Sequence, residues 1–179
     1  MSGHDGARAA LMRLEADMRF TRILVPTDFS TGAENAAVAA CAFARAVGGS
    51  ITLLNIYNPP SLMLPDGSTF APTPAELVEA TQRADHALAA HKRALTERVG
   101  GHVAIEVAST IGDAADEILR LAESGEYDVV VMGTHGRTGI RRMMLGSVAE
   151  KVLRRAPIPV LTVREHDAAD RSALQHASK

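Results

Sequence analysis

The sequence is poor in aromatic residues, with no tryptophan, two tyrosines and four phenylalanines, and it has a single cysteine. One cysteine, Cys41, cannot form an intrachain disulfide, so the fold needs no covalent staple and no oxidising compartment. Cys41 sits among alanines in a helical pattern and reads as a buried structural thiol, because a reactive one would need exposure and a lowered pKa. An excess of one charge is also missing. Nineteen Lys and Arg stand against 21 Asp and Glu, a formal net charge of −2. That argues against a nucleic-acid or acidic-membrane partner, since phosphate surfaces are held by clustered Lys and Arg. Nowhere do 18 apolar residues run without a charge, and residues 1–19 lack the unbroken apolar stretch of a signal peptide. The expectation is a cytoplasmic protein with no membrane partner.

With so few aromatic rings, the core must come from Ala, Val, Leu, Ile and Met, which suits helices lying close on a sheet. The chain of 179 residues falls in the range of one domain. Its organisation reads as an N-terminal extension over 1–19, a domain over 20–164 and a polar tail over 165–179. Residues 8–18 fit either a short amphipathic helix or a frayed extension.

Within the domain, apolar runs resembling buried strands alternate with longer helical patterns, the signature of an α/β fold with a parallel sheet. The first strand is Arg22 to Val25, and Thr31 with Glu34 forms a capping box opening a helix to Val47. The second strand is Ile51 to Ile56. Residues 58–74 then hold Pro59, Pro60, Pro65, Pro72 and Pro74 and are expected to lack regular structure, as a surface excursion rather than a lid. Thr73 and Glu76 frame a second capping box with Pro74 at the first helical position. Leu77, Thr81, Ala84, Leu88 and Leu95 mark one face of the long helix that follows. His86 and His91, too far apart around that helix to share a metal, read as polar-face residues. A third strand covers Val103 to Val107, and Asp113 is placed to cap a helix with the stripe Ala115, Ile118, Leu119 and Ala122. Tyr127 to Met132 is the most β-like run and the candidate for a central strand buried on both faces. A helix over Ser147 to Arg155 and a strand over Pro159 to Val163 complete the pattern.

The segment from Gly133 to Ser147 carries the chemistry. Glycines let the backbone approach a ligand and expose N–H donors. The helix starting at Ser147 leaves its first N–H groups unpaired and carries the positive end of a dipole. In open parallel sheets, ligands sit beyond the carboxyl ends of the strands where the strand order reverses. If the first and fourth strands are neighbours, Pro26, Thr27 and Asp28 face Gly133 across such a crevice. The Asp28 carboxylate could then bind ribose hydroxyls or, less directly, a divalent cation. No Gly-Lys-Ser/Thr follows the glycines and the dinucleotide pattern G-x-G-x-x-G is absent. Ser147 with Glu150 also forms a capping box, so Ser147 could serve only its own helix.

Gly133-x2-Gly136-x9-Gly146-Ser147 resembles the loop of the ATP-binding class of universal stress proteins. Ile23-Leu-Val-Pro-Thr-Asp-Phe-Ser30 is similar to that family's first strand and turn, Leu53-Leu-Asn-Ile56 to its second strand, and Ala156-Pro-Ile-Pro-Val-Leu-Thr-Val163 to its last. The resemblance implies a doubly wound five-stranded parallel sheet in the order 3-2-1-4-5, with helices on both faces. It implies that Pro26, Thr27 and Asp28 line base and ribose, that Ile56 packs on adenine and that Met132 lies beside the loop. Gly133, Thr134, His135, Gly136, Arg137, Gly146, Ser147 and Val148 would surround the phosphates. The implied ligand is ATP, or equally ADP or AMP, with Mg2+ reached through Asp28. Asn55 stands where the family often has His, a departure expected to matter little. Arg137, Arg141 and Arg142 could reach phosphate, although exposed arginines are the default. His135 lacks a visible partner for base catalysis.

The leading expectation is therefore an adenine-nucleotide-binding regulatory protein of the stress response, with no catalytic residue assigned. A slow ATPase or phosphotransferase and a nucleotide-independent scaffold remain the alternatives. Val160 to Val163, expected at a sheet edge, invites a homodimer, and the resemblance points the same way.

Overall fold

The computed structural model describes residues 20–59, 62–63, 69–134 and 145–164. Five strands, β1 (Arg22–Thr27), β2 (Ser50–Tyr57), β3 (Ala104–Ile111), β4 (Val129–Gly133) and β5 (Val160–Val163), form one sheet in the order β3-β2-β1-β4-β5. All pairings in that sheet are parallel. The helices are α1 (Thr31–Val47), α2 (Pro74–Val99), α3 (Ala114–Glu123) and α4 (Ser147–Arg155). This is the expected doubly wound sheet. β1 is its middle strand, and β4, buried from Val129 to Met132, lies between β1 and β5.

Alternation along the strands divides the interior into two cores. Ile23, Val25, Ile51, Leu53, Val129 and Val131 face α1 and α2, where Ala37, Ala40, Cys41, Ala44, Leu88 and Leu95 meet them. Leu24, Leu54, Val130 and Met132 face α3 and α4, where Ala115, Ile118, Ala122, Ala149 and Val152 close the other side. The expected stripe of α3 is buried in full. On α2, Leu88 and Leu95 are buried while Leu77, Thr81 and Ala84 are half-buried. Burying each Leu or Val contributes about 1.5–3 kcal/mol, so the two cores outweigh any single polar contact. Cys41 is buried as expected, and desolvation, aided by the Glu34 charge, pushes its thiol up to about 11.

Several local expectations are corrected. The N-cap of α1 is Ser30, one residue before Thr31, and its side chain accepts from the Ala33 N–H at 3.3 Å. Glu34 is thereby released from capping and reaches α2, 3.2 Å from Arg98 and 2.6 Å from His91 Nε2. The His91 contact has the distance of an ion pair without the alignment of a directed hydrogen bond. His91 is no polar-face residue, since its side chain is only 9% exposed. α4 is capped by Gly146, with no side-chain cap, and Glu150 pairs with Arg154 at 3.0 Å. Within the proline-rich excursion, Leu62–Met63 and Thr69–Phe70 form a short antiparallel ladder where no regular structure was expected. The Thr73–Glu76 box and Pro74 start α2 as expected. β3 extends to Ile111 because it pairs with β2 along its whole length.

Tyr127 and Asp128 precede β4 rather than belonging to it, and Asp128 does separate work. Its Oδ2 accepts from the backbone N–H groups of Thr21 at 3.0 Å and Arg22 at 2.9 Å, while Oδ1 accepts from the Arg22 guanidinium. Burial pushes the Asp128 carboxyl up, but the Arg22 side chain and the two N–H donors outweigh it and hold it below the ordinary range. A carboxyl depressed in the folded state contributes stability that is full above its unfolded pKa, about 3.9, and is lost as pH falls through the folded value. Asp128→Ala should cost about 2 kcal/mol near neutral pH in urea unfolding, and the gap to wild type should narrow in acid. A gap independent of pH would contradict this role.

Candidate functional site

A cleft of about 630 Å³ opens at the carboxyl ends of β1, β2 and β4. It lies where the order reverses: β2 and β3 extend from one side of β1, and β4 and β5 from the other. Pro26, Thr27, Asp28, Ile56, Met132, Gly133, Thr134, Gly146, Ser147 and Val148 all line it. Of the candidate residues, His135, Gly136 and Arg137 lie outside the described residues, as do Arg141 and Arg142.

The turn after β1 is built by short side chains. Thr27, buried, accepts through Oγ1 from the Phe29 N–H at 3.1 Å, and Asp28 Oδ1 accepts from the Ser30 N–H at 3.0 Å. Between them Phe29 is held at φ 63°, a left-handed conformation costing about 1–2 kcal/mol for a residue with a Cβ. The two turns that straddle Phe29 hold it there, and its ring is left at the cleft.

On the other side, Thr134 closes the base of the glycine segment. Its N–H donates to the Val163 carbonyl at 3.1 Å, and its carbonyl accepts from the Gly146 N–H at 2.8 Å. The chain thus leaves the cleft floor at Thr134 and returns at Gly146 into α4. Gly133 does not use left-handed freedom, since it is the last residue of β4. Its role is spatial: a Cβ there would stand 2.9 Å from the carbonyl carbon and oxygen of Gly32 in α1.

Three helices begin at this cleft, with Ala33 of α1, Ala114 of α3 and Ser147, Val148 and Ala149 of α4 all lining it. Their dipoles add positive potential in one place, which favours an anion. α1 and α3 have side-chain caps, from Ser30 and from Asp113, which accepts from Ala115 and Asp116. α4 has none, so no capping side chain stands between its first-turn donors and a ligand. Apolar walls from Pro26, Leu54, Ile56, Ile118 and Met132 complete a site able to take a flat apolar face at one end and negative charge at the other.

Sequence reasoning missed Arg83, Ala84, Ala87 and Ala114 as cleft residues, because α2 and α3 reach the site only through tertiary packing, and it missed Phe29 and Asn58, which lie just past the ends of β1 and β2. Asn55 was undervalued. Its side chain is buried, and Nδ2 donates to the Thr27 carbonyl at 2.9 Å, tying β2 to the end of β1. The one available signal was a polar residue inside the apolar run Leu53 to Ile56.

Fold and site define a doubly wound α/β domain with a ligand cleft at its switch point. The family model described as the universal stress protein family matches residues 19–164, and the chain belongs to that family. A universal stress protein of Methanocaldococcus jannaschii is 32% identical over 151 residues, covering 82% of this chain and 83% of the relative. Among solved structures, the universal stress protein UspA of Lactobacillus plantarum has 26% identity and a TM-score of 0.63, covering 82% of this chain and 99% of that one. A universal stress protein solved in complex with cAMP has 25% identity and a TM-score of 0.59, covering 81% and 97%.

The Gly133–Gly32 contact gives a direct test of how the floor is built. Gly133→Ala should lower stability by about 1–3 kcal/mol in denaturant unfolding, because the new methyl group meets backbone that cannot swing aside. A substitution without effect would show that the approach of β4 to α1 is not tight.

Proposed function

We propose that this universal stress protein binds an adenine nucleotide, ATP or alternatively ADP or AMP, and acts as a regulatory protein of the stress response in the cytoplasm. The observation that carries this is a cleft lined together by the β1 turn, Met132 and the start of α4, which has no side-chain cap. The base lies against Pro26, Ile56 and Met132, with Thr27 and Asp28 at the ribose. Phosphates lie at Gly133, Thr134, Gly146, Ser147 and Val148, with His135, Gly136 and Arg137 as further phosphate-side residues. A Mg2+ ion carried by the nucleotide would take Asp28 as its protein carboxylate. The family member solved with cAMP supports an adenine ligand for this fold. Among the described residues no helix is long and apolar enough to cross a membrane.

Protein purified without added nucleotide, denatured and analysed by mass spectrometry should release ATP, ADP or AMP in near-stoichiometric amount. Gly146→Lys, which places a long side chain at the start of α4, should release none. At a hundredfold excess over Kd, added Mg-ATP should stabilise the wild type by about 2.7 kcal/mol. No released nucleotide together with no stabilisation would put the nucleotide-independent scaffold first.

β5 is an edge strand with Leu161 45% exposed, and the proposed assembly is a homodimer through Val160 to Val163. Light scattering at micromolar concentration should give twice the monomer mass, and Leu161→Lys should reduce it to the monomer. A monomeric wild type would exclude this interface.

A further inference from the structure

The same alternation that divides the core divides the cleft. Leu54, Ile56, Ile118 and Met132 belong to the α3/α4 side, where the base is placed above. Thr27 and Asn55 continue the series that faces α1 and α2, and Arg83, Ala84 and Ala87 of α2 line that part of the cleft. Apart from Thr27 at its border, placed above at the ribose, this second lobe takes no part in the mononucleotide site.

Asn55 gives the lobe its chemistry. It is 8% exposed, and its Nδ2 donates to the Thr27 carbonyl. Because a carbonyl only accepts, that bond fixes which amide atom is nitrogen and which is oxygen. Among the described residues nothing donates to Oδ1. The described side-chain atoms sealed from water without a partner are both on His91, so Oδ1 keeps an opening, and the cleft supplies it. A buried acceptor of fixed direction therefore looks into the lobe. Around it stand Ala84 and Ala87, small enough to leave room, and Arg83, whose guanidinium is mostly in water 3.9 Å from Glu79. Phe29 presents an aromatic ring that is backed by His91 at 6.0 Å between centroids and still 43% exposed.

We propose that this α1/α2-side lobe is a second subsite taking an amino-bearing planar base, the far nucleoside of a ligand in which two nucleosides are joined through phosphates. This rests on the nucleotide reading of the neighbouring lobe. The exocyclic amine donates to Asn55 Oδ1, whereas a keto oxygen in its place would set acceptor against acceptor. The Phe29 ring offers a stacking face, and Arg83 at the rim attracts the phosphate chain.

The test is calorimetry on the full chain with ATP, diadenosine tetraphosphate and the mixed adenosine–inosine tetraphosphate, whose hypoxanthine has a keto oxygen and no exocyclic amine. Wild type should bind diadenosine tetraphosphate about tenfold more tightly than ATP, the gain of one or two good polar contacts. Arg83→Ala, and separately Ala87→Leu, which fills the lobe, should erase that advantage and leave ATP affinity unchanged. The mixed ligand should lose most of the advantage in wild type. Equal affinity of wild type for ATP and diadenosine tetraphosphate, or an advantage that survives both substitutions, overturns the subsite while leaving the nucleotide reading intact. Failure of every nucleotide to bind overturns both.

Discussion

β1 is hydrogen-bonded on both edges, to β2 along its whole length and to β4 at Ile23 and Leu24, and the remaining architecture follows from that constraint. Both pairings are parallel, so each connection must cross over a face of the sheet, and the apolar residues on both faces of the strand are covered by helices. Parallel crossovers of one hand then send α1 and α2 to one face and α3 and α4 to the other. Beyond the carboxyl end of β1 the two sets of connections diverge, and the gap between them is the cleft. Asp128 secures the opposite end of the same strand through the backbone of Thr21 and Arg22. Asn55 ties the cleft end to β2.

The walls of the cleft therefore have two origins. One group of residues belongs to strand ends and turns, such as Pro26, Asp28, Met132 and Gly133, and its placement is dictated by the sheet. The other comes from the first turns of α1, α3 and α4, which start there because each follows a strand. The contrast among those turns is instructive: Ser30 and Asp113 spend side chains on their own helices, and Gly146 does not. At the start of α4, next to two helices that have a side-chain cap, no capping side chain occupies the first-turn N–H groups.

The packing of α1 against α2 extends the influence of the site into the core. Glu34, freed by the shift of the cap to Ser30, meets His91 and Arg98, and His91 in turn backs the Phe29 ring at the cleft. The polar contacts linking the two helices on the β1 side of the sheet therefore end on a left-handed residue at the cleft. Small residues make this geometry possible, since the buried alanines of α1 let that helix lie close to the sheet.

Local order was legible from the sequence because it depends on periodicity and short-range chemistry. The strand cores, the α3 stripe, the Thr73–Glu76 box, Asp113 as a cap and the parallel doubly wound class all rest on neighbours within a few residues. The meeting of the β1 turn with the Gly133 segment, by contrast, followed only from the strand order that the family resemblance implied. What the sequence left open were matters of partnership between distant elements. Whether Ser30 or Thr31 caps α1 depends on the exact phase of a helix end, and whether His91 faces water or Glu34 and whether Asn55 is incidental or a buried tie depend on partners far away in the chain, 28 positions for Asn55. The second lobe of the cleft belongs to that class as well. Arg83, Ala84 and Ala87 carry no local mark of a site, and only the packing of α2 over β2 and β3 brings them beside Asn55. Short-range chemistry determined the elements; long-range packing decided which side chains those elements share a cavity with.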